Sequence, residues 1–254
     1  MTFGHAIFLF FAALIAGVQN SVAGGGTFFS FPALLFAGVP PIPANATSTV
    51  ALWPGTMASA AAYRKRLPHS ARILVPLVLA SLAGGFIGAG LLLKTPPATF
   101  MRLIPFLFLG ATLLFAFGKR LFKISQPPKD AKASWLAVGG VALLQIPISI
   151  YGGFFGGGIG ILMLATLNFL PLPDIHAMNG VKTLLASATN AAAIATFVVA
   201  GIVVWPEAIV MLVGAAAGGY AGAHYAQKVD AARVRSFIVV VGFAMSFYFL
   251  WKYR

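Results

Sequence analysis

Long apolar runs separated by short basic or proline-rich breaks occupy almost the whole chain, and this pattern restricts the fold most. Hydrophobic residues make up 60% of the sequence, and with the 28 glycines they provide apolar material for about nine membrane-spanning helices of roughly 20 residues. Charged residues make up only 8% of the chain, whereas a soluble domain contains about a quarter. The sequence therefore predicts an all-α integral membrane protein and excludes soluble enzymes.

The charge is strongly unbalanced, because 17 Lys and Arg residues stand against 4 Asp and Glu residues. The basic residues cluster in the gaps between apolar runs, which is typical of cytoplasmic loops, so we expect the lipid bilayer and no nucleic acid as a partner. No acidic residue lies in the middle of an apolar run, which argues against a cation or proton carrier. The absence of cysteine excludes disulfides and thiolate metal sites.

The order of segments is the same in both halves of the chain: a long run, a glycine triplet, a short run and three more long runs. The predicted runs are 3–23, 27–39, 44–63, 73–93 and 98–118, then 135–153, 159–170, 175–201, 207–226 and 235–251. No Lys or Arg precedes the first run, so we interpret it as a membrane element, not as a cleaved signal peptide. We predict a first transmembrane repeat at 1–118, a cytoplasmic linker at 119–133 and a second repeat at 134–254.

The two halves align with each other as an internal duplication. An offset of 132 residues places the glycines at 24–26 on those at 156–158. An offset of 134 residues places the Ala-Gly-Gly sequence at 83–85 on the same sequence at 217–219. Matches that need a single two-residue insertion over about 100 positions indicate a duplicated sequence.

Equivalent loops of the two halves differ in charge. The loop after the third run of the first half carries Arg64, Lys65, Arg66 and Arg72, whereas its partner at 202–206 carries no basic residue. Loops of such different character indicate opposite sides of the membrane. We therefore predict two homologous repeats in inverted topology, with about eight full spans, two short half-helices after the glycine-rich breaks and both termini outside. A parallel arrangement of the repeats would place almost as many basic residues in the cytoplasm. The choice of inverted topology therefore rests on the charge difference between the equivalent loops.

The glycine triplets are predicted to interrupt the helices at equivalent positions. Glycine frees the backbone to leave the helix, and the following short helix begins with unpaired amides at the positive end of its dipole, which suits an anion. Two such ends would meet near the middle of the membrane, where interrupted helices of transporters form binding sites. Close helix packing through small residues is the alternative. The candidate substrate-binding residues at the breaks are Gly24, Gly25, Gly26, Thr27, Gly156, Gly157 and Gly158.

Polar residues at the start of the following runs complete the candidate site. Lys182 stands out because an ammonium within a membrane costs about 2.5–3.5 kcal/mol, which an anion, water or snorkelling to the interface would offset. Ser and Thr hydroxyls are weaker candidates because they often bond to carbonyls of their own helix, and Thr189 and Asn190 either line the same path or join helices. The further substrate-binding candidates are Asn45, Thr47, Ser48, Asn179, Lys182 and Thr183. The histidines show no metal-ligand spacing, so we predict no metal, no cofactor and no catalytic residue.

These motifs resemble those of the TauE/SafE sulfite exporter family. Gly24-Gly-Gly-Thr-Phe-Phe-Ser-Phe-Pro-Ala-Leu-Leu, Gly38-Val-Pro-Pro and Asn45-Ala-Thr-Ser are similar to its first repeat. Gly156-Gly-Gly-Ile-Gly and Asn179-Gly-Val-Lys are similar to its second repeat, although the preceding glycine string, from Gly152, is longer. The likeness covers nearly the whole chain. It implies a bacterial inner-membrane permease that moves sulfite or organosulfonates such as sulfoacetate, usually outward.

Together, the residues and the resemblance predict a transporter that exports a small sulfur-containing anion. An interior-negative potential drives an anion outward by about 2.3 kcal/mol per charge per 100 mV, so export requires no coupling ion. The alternative is uptake of a related organic anion or carboxylate through the same site, coupled to an ion. An ion channel suits inverted breaks less well, and an intramembrane enzyme would need an acid, base or nucleophile pair that the sequence does not show. A homo-oligomer is compatible with this prediction.

Overall fold

The computed structural model describes residues 2–22, 25–68, 70–121, 134–225 and 231–252. Within these ranges the chain forms ten α-helices and one short 3-10 turn. The helices are α1 (Phe3–Val22), α2 (Thr27–Phe36), α3 (Pro41–Ala62), α4 (Ala71–Lys94), α5 (Pro97–Leu121), α6 (Trp135–Phe154), α7 (Ile159–Leu167), α8 (Ile175–Val199), α9 (Trp205–Tyr225) and α10 (Ala231–Lys252).

Five of these helices, α1, α4, α5, α6 and α8, are long and apolar enough to cross a membrane. Their outward faces carry large apolar side chains, among them Phe86, Leu136 and Leu143, which are 61%, 87% and 70% exposed. Water would not tolerate so much exposed apolar surface, whereas lipid chains solvate it. The prediction of an all-helical membrane protein is therefore confirmed, with five candidate spans in the described part of the chain.

Both predicted helix interruptions are present. The first break, whose described residues are Gly25 and Gly26, precedes α2, and the second break (residues 155–158) separates α6 from α7. Gly25 and Gly158 have φ angles of 90° and 78°, a left-handed conformation that glycine adopts without strain. The short helices α2 and α7 measure about 15 Å and 14 Å, which is about half the thickness of a bilayer's hydrocarbon core.

Most helix boundaries differ from the predicted ones by one to four residues, and two of these differences have a clear structural meaning. Helix α3 begins at Pro41 instead of residue 44, since a proline in the first turn lacks only an amide hydrogen that would be unpaired there. Helix α5 continues to Leu121, so the first residues of the predicted linker belong to this helix. The remainder of the linker, 122–133, lies outside the described residues.

Closely packed glycines join α1 to α9 and α4 to α6. Close backbone approaches include Gly214 to Phe10 and Gly218 to Leu14 in the first pair, and Gly84 to Ile146 and Gly88 to Ile150 in the second. Residue numbers rise together in both pairs, so the two helices of each pair run in the same direction. The contact of Gly218 with Leu14 is equivalent to that of Gly84 with Ile146 under the two sequence offsets, so both halves use the same packing.

Helices α3 and α8 pack against each other in opposite directions. The indole nitrogen of Trp53 donates a hydrogen bond to the carbonyl oxygen of Ser187 over 3.1 Å. Further along α3, the backbone and Cβ of Tyr63 lie beside Gly180, which is nearer the start of α8. The two helices are therefore antiparallel.

Helices α5 and α10 are antiparallel as well. Thr112 lies against Gly242. Phe108, one turn earlier in α5, packs against Phe249, which is later in α10, with ring centroids 5.6 Å apart. Helices α3 and α5 occupy the same places in the first half as α8 and α10 in the second, so both contacts join equivalent helices.

Candidate functional site

The second break lies beside the second half of α4, a candidate membrane span. Gly153, the penultimate residue of α6, packs directly on the backbone of Gly85. Gly85 lies in the central part of α4, which is long and apolar enough to cross a membrane. Gly88, further along α4, lies against the backbone nitrogen of Phe154, so α6 ends shortly before α4 does, and its last carbonyls need hydrogen-bond partners.

The two breaks face each other. A narrow gap is lined by Thr27, the first residue of α2, and by Gly157 of the second break, together with three phenylalanines. The gap leaves no space for a water-sized molecule. The structure thus brings the residues of the first and second breaks together, as the sequence analysis proposed, but in a closed arrangement.

Phenylalanine rings fill the space between the breaks. Phe108 of α5 makes edge-to-face contacts with Phe28 of α2 and Phe155 of the second break, with centroid distances of 5.2 Å and 5.4 Å. Phe31 packs against Phe155 at 6.1 Å. An anion the size of sulfite would have to displace at least one of these rings to reach both breaks. The sequence analysis did not predict this apolar filling.

A side chain of α1 occupies one amide of the first break. The backbone N–H of Gly26 donates to Oδ1 of Asn20 over 2.7 Å. A carboxamide oxygen accepts hydrogen bonds as an anion's oxygen does. Asn20 therefore accepts the Gly26 hydrogen bond that was predicted for the bound anion. Asn20 was missed, although its polar side chain within an apolar run just before a glycine triplet is a usable signal. Gly24, the remaining glycine of this triplet, lies outside the described residues.

The start of α3 connects the two breaks. Nδ2 of Asn45 donates to the carbonyl oxygen of Phe154, the last residue of α6, over 3.2 Å. Ser48, on the same face of α3, lies with its Oγ 2.6 Å from Oγ of Ser30 in α2. The side chains of Asn45, Ser48 and Ser30 are buried, and Oδ1 of Asn45 has no hydrogen-bond partner in the described part of the chain. Asn45 and Ser48 therefore lie at the candidate site.

The second-half candidates lie beside α7. The aliphatic chain of Lys182 passes Gly160, where an added Cβ would lie 3.3 Å from the Cδ of Lys182. The Lys182 ammonium donates to Oδ1 of Asn179 over 2.8 Å, one turn nearer the start of α8. Lys182 is thus adjacent to the first turn of α7, and its charge is directed toward the start of α8.

Two predicted threonines have structural partners. The Thr47 hydroxyl accepts a hydrogen bond from the backbone N–H of Val204 over 3.0 Å, which directs it toward the start of α9. The Thr183 hydroxyl donates to the carbonyl oxygens of Asn179 and Gly180 in its own helix, as such hydroxyls often do. The structure therefore places Asn45 and Ser48 at the breaks, and Thr47 and Thr183 in helix contacts.

Tyr151 anchors the second break and was also missed. Its hydroxyl donates to the carbonyl oxygen of Gly157 over 2.7 Å. Tyr151 also forms the end of an apolar groove of about 720 Å³, which opens beside α5 between side chains such as Phe106 and Phe117. This groove suits lipid chains, since an anion requires polar donors. A tyrosine immediately before a glycine string is the sequence signal for this role.

Asp174 fixes the start of α8. Its Oδ1 accepts a hydrogen bond from the backbone N–H of Ala177 over 2.7 Å, an N-cap that satisfies an unpaired amide. This hydrogen bond is the main reason why the pKa of Asp174 is lowered, with smaller contributions from His176 and Arg66. In the described residues no group of three His, Asp or Glu side chains could hold a metal ion.

Comparisons with known proteins identify relatives across almost the whole chain. A family model described as "Sulfite exporter TauE/SafE" matches residues 9–249. The probable membrane transporter protein ORF9 of Sinorhizobium sp is 28% identical over 97% of this chain and 92% of its own length. A probable membrane transporter protein of Haemophilus influenzae is 28% identical over 94% of this chain and 91% of its own length. YfcA of Escherichia coli K12, another probable membrane transporter protein, is 26% identical over 94% of this chain and 87% of its own length. No solved structure matches the chain.

Proposed function

Because the chain belongs to the TauE/SafE sulfite exporter family and is a membrane transporter, we propose that it exports a small sulfur-containing anion, sulfite or an organosulfonate such as sulfoacetate, across a bacterial inner membrane. The observation that carries this proposal is the shared gap between Thr27 and Gly157. Backbone amides at the two breaks would then bind one anion from two sides.

The proposed architecture has eight full spans in two inverted repeats. A two-fold axis along the membrane normal keeps equivalent helices parallel, whereas an axis in the membrane plane makes them antiparallel. The antiparallel contacts of α3 with α8 and of α5 with α10 support the second arrangement. Helices α3, α9 and α10 are the repeat equivalents of α8, α4 and α5, which are candidate spans. This equivalence supports spans for all eight long helices.

The same helix directions support an assignment of sides. Consecutive spans joined by short loops alternate in direction, and α1 and α9 run in parallel. With α3 antiparallel to α8, helices α3, α5 and α9 all end on one side. The sequences that follow these ends contain Arg64 to Arg66, the basic linker at 119–133 and the basic segment 228–235. By the positive-inside rule we place that side in the cytoplasm, with both termini outside.

Anion binding would begin with the release of Gly26 from Asn20, since one amide cannot donate fully to both acceptors. Movement of the phenylalanines between Thr27 and Gly157 would then admit the anion to both breaks. Lys182, next to the first turn of α7, would attract the anion and pair with it. The proposed contact residues are Gly24, Gly25, Gly26, Thr27, Asn45, Ser48, Gly156, Gly157, Gly158, Asn179 and Lys182, with Thr47 and Thr183 holding the surrounding helices in place.

Flux through purified protein in liposomes tests this proposal. Vesicles loaded with radiolabelled sulfite or sulfoacetate should lose the anion faster than empty liposomes, and a lumen-negative potential should accelerate the loss. Setting the anion gradient in both directions, with and without a Na⁺ gradient, separates export from coupled uptake. If no sulfur oxyanion or carboxylate crosses faster than in empty liposomes, the proposal is wrong.

A charge-removal pair tests the role of Lys182. Lys182→Met should raise the anion concentration for half-maximal flux by about 10-fold or more, because a hydrogen bond to a charged group is worth about 1.5–3 kcal/mol. Lys94→Met, which removes an exposed charge at the end of α4, serves as the matched control and should leave that concentration unchanged. If both variants have the same anion concentration for half-maximal flux, Lys182 does not take part in anion binding.

A further inference from the structure

Four buried polar side chains form a cluster between α4, α6 and α8. Nε2 of Gln145 donates to Oγ of Ser81 over 3.0 Å and to Oγ of Ser149 over 2.9 Å. The Thr189 hydroxyl lies 3.2 Å from Oγ of Ser149 and 3.0 Å from the carbonyl oxygen of Leu185 in its own helix, and it can donate to either. All four side chains are 0% exposed. We call Ser81, Gln145, Ser149 and Thr189 the Gln145 cluster; apart from Thr189, its members were not among the predicted residues.

The Gln145 cluster contains an oxygen that has no hydrogen-bond partner in the present side-chain orientation. Oε1 of Gln145 is buried and has no hydrogen-bond partner in the described part of the chain. A buried acceptor without a partner is unfavourable, particularly in the middle of a membrane span. Rotating the carboxamide by 180° exchanges its oxygen and nitrogen without changing its shape, and this directs Oε1 at the hydroxyls of Ser81 and Ser149.

Helix packing alone does not require this cluster. Under the repeat offsets, Gln145, Ser149 and Ser81 correspond to Ala13, Gly17 and Ala215. In the first half, Gly17 packs directly against Ala215, so α1 and α9 make the equivalent contact through small apolar residues. The polar residues of the cluster therefore occur only in the α4–α6 contact, although the α1–α9 contact has the same packing without them. This difference points to a ligand.

The chemistry of the cluster identifies the class of ligand. Three hydroxyl oxygens and one carboxamide oxygen form a neutral set of hard donors, which suits a small cation. Without a carboxylate, this set cannot balance a divalent charge in an apolar environment. The cluster also lies near the C-terminal end of α6, the negative end of the helix dipole, where transporter half-helices coordinate Na⁺.

From this geometry we propose that Ser81, Gln145, Ser149 and Thr189 form a binding site for a monovalent cation the size of Na⁺. Binding rotates the Gln145 carboxamide and gathers the four oxygens around the ion. Ser149 is one turn from Gly153, where α6 packs on α4 just before the second break, so the bound ion fixes the position of that break. The cation site is separate from the anion site and does not depend on which anion is transported.

Thermal unfolding of the purified protein, without sulfite or sulfonate, measures this binding directly. Na⁺ replaces choline at constant chloride concentration, so neither the ionic strength nor the anion changes. At ten times the dissociation constant, Na⁺ should raise the melting temperature by about 3–6 °C. K⁺ should produce a smaller rise, because the four side chains are closely packed and fully buried and a larger ion would have to push them further apart.

Three variants locate the site. Gln145→Leu, which keeps the volume of the side chain, should abolish the response to Na⁺, and Ser149→Ala should weaken the apparent affinity by about 10-fold or more. Ser246→Ala removes a hydroxyl that is equally buried in α10 and should retain the full response. The proposal is overturned if Na⁺ and choline give the same melting temperature, if K⁺ acts as strongly as Na⁺, or if Gln145→Leu still responds to Na⁺. Because neither sulfite nor a sulfonate is present, this outcome is independent of sulfite flux.

Discussion

Replacing Gly153 by alanine tests the close packing that sets the depth of the second break. A Cβ at this position would lie 2.9 Å from both Cα and the carbonyl carbon of Gly85, and closer still to its carbonyl oxygen. Backbone atoms of a helix cannot rotate out of the way as a flexible side chain can. Either α6 and α4 must separate, or the last turn of α6 must shift.

The expected magnitude follows from two opposing effects. Overpacking of a closely packed contact costs about 1–3 kcal/mol, whereas alanine stabilises a helix by up to about 1 kcal/mol relative to glycine. Gly140 lies in the same helix with no atom within 4 Å of an added Cβ, so Gly140→Ala has only the favourable effect. The difference between the two variants isolates the packing cost, about 1–3 kcal/mol, or roughly 2–12 °C in melting temperature for a chain of this size.

Thermal unfolding of both variants in the same detergent, followed by tryptophan fluorescence, gives this difference. Gly140→Ala should melt at or slightly above the wild-type temperature, and Gly153→Ala clearly below it. If the two variants melt at the same temperature, α6 does not pack on α4 at Gly85, and the depth assigned to the second break is wrong.

Two further substitutions test single hydrogen bonds. Asp174→Ala removes the cap of α8. The pKa of this carboxyl is lowered in the folded protein. The ionised cap therefore stabilises the fold fully above the ordinary pKa of about 3.9, and this stabilisation disappears as the pH falls through the lowered pKa. The melting temperature of the wild type should therefore exceed that of Asp174→Ala by a constant amount from pH 5 to pH 7 and by less below about pH 4; a constant difference down to pH 3 would contradict this. Asn20→Asp places a carboxylate on the Gly26 amide and should raise the anion concentration for half-maximal flux by about 10-fold, since a charge-assisted hydrogen bond competes better with the substrate. Asn20→Ala, which frees the amide, should not raise it, and a similar loss in both variants would exclude competition for Gly26.

The helices and the two breaks could be predicted from the sequence because their signals are local. Runs of apolar residues of membrane-spanning length and glycine triplets depend only on neighbouring residues. The helical fold, the short helices at Thr27–Phe36 and Ile159–Leu167, and the membrane location are confirmed. The start of α3 was predicted slightly late because prolines were taken as a boundary, whereas Pro41 is the first helical residue.

The details of the candidate site could not be predicted because they depend on contacts between distant parts of the chain. Asn45 meets Phe154, more than 100 residues away, and Phe108 of α5 fills the space between the two breaks. The Gln145 cluster combines four polar residues from three helices. None of these residues, taken alone in the sequence, indicates a binding site. Participation of Lys182 in anion binding stays a prediction, since its ammonium bonds to Asn179 in this structure.

Cross-linking across the gap tests most directly whether the breaks form one anion site. The chain contains no cysteine, so Thr27→Cys and Gly157→Cys can be combined without removing native thiols. A short thiol-specific cross-linker should join this pair, and saturating sulfoacetate should slow the reaction. Phe36→Cys with Tyr248→Cys, whose native rings lie 5.6 Å apart outside the gap, provides the matched control and should react without any effect of the anion. Failure of the Thr27–Gly157 pair to cross-link, or cross-linking that sulfoacetate leaves unchanged, would contradict a shared anion site at the two breaks.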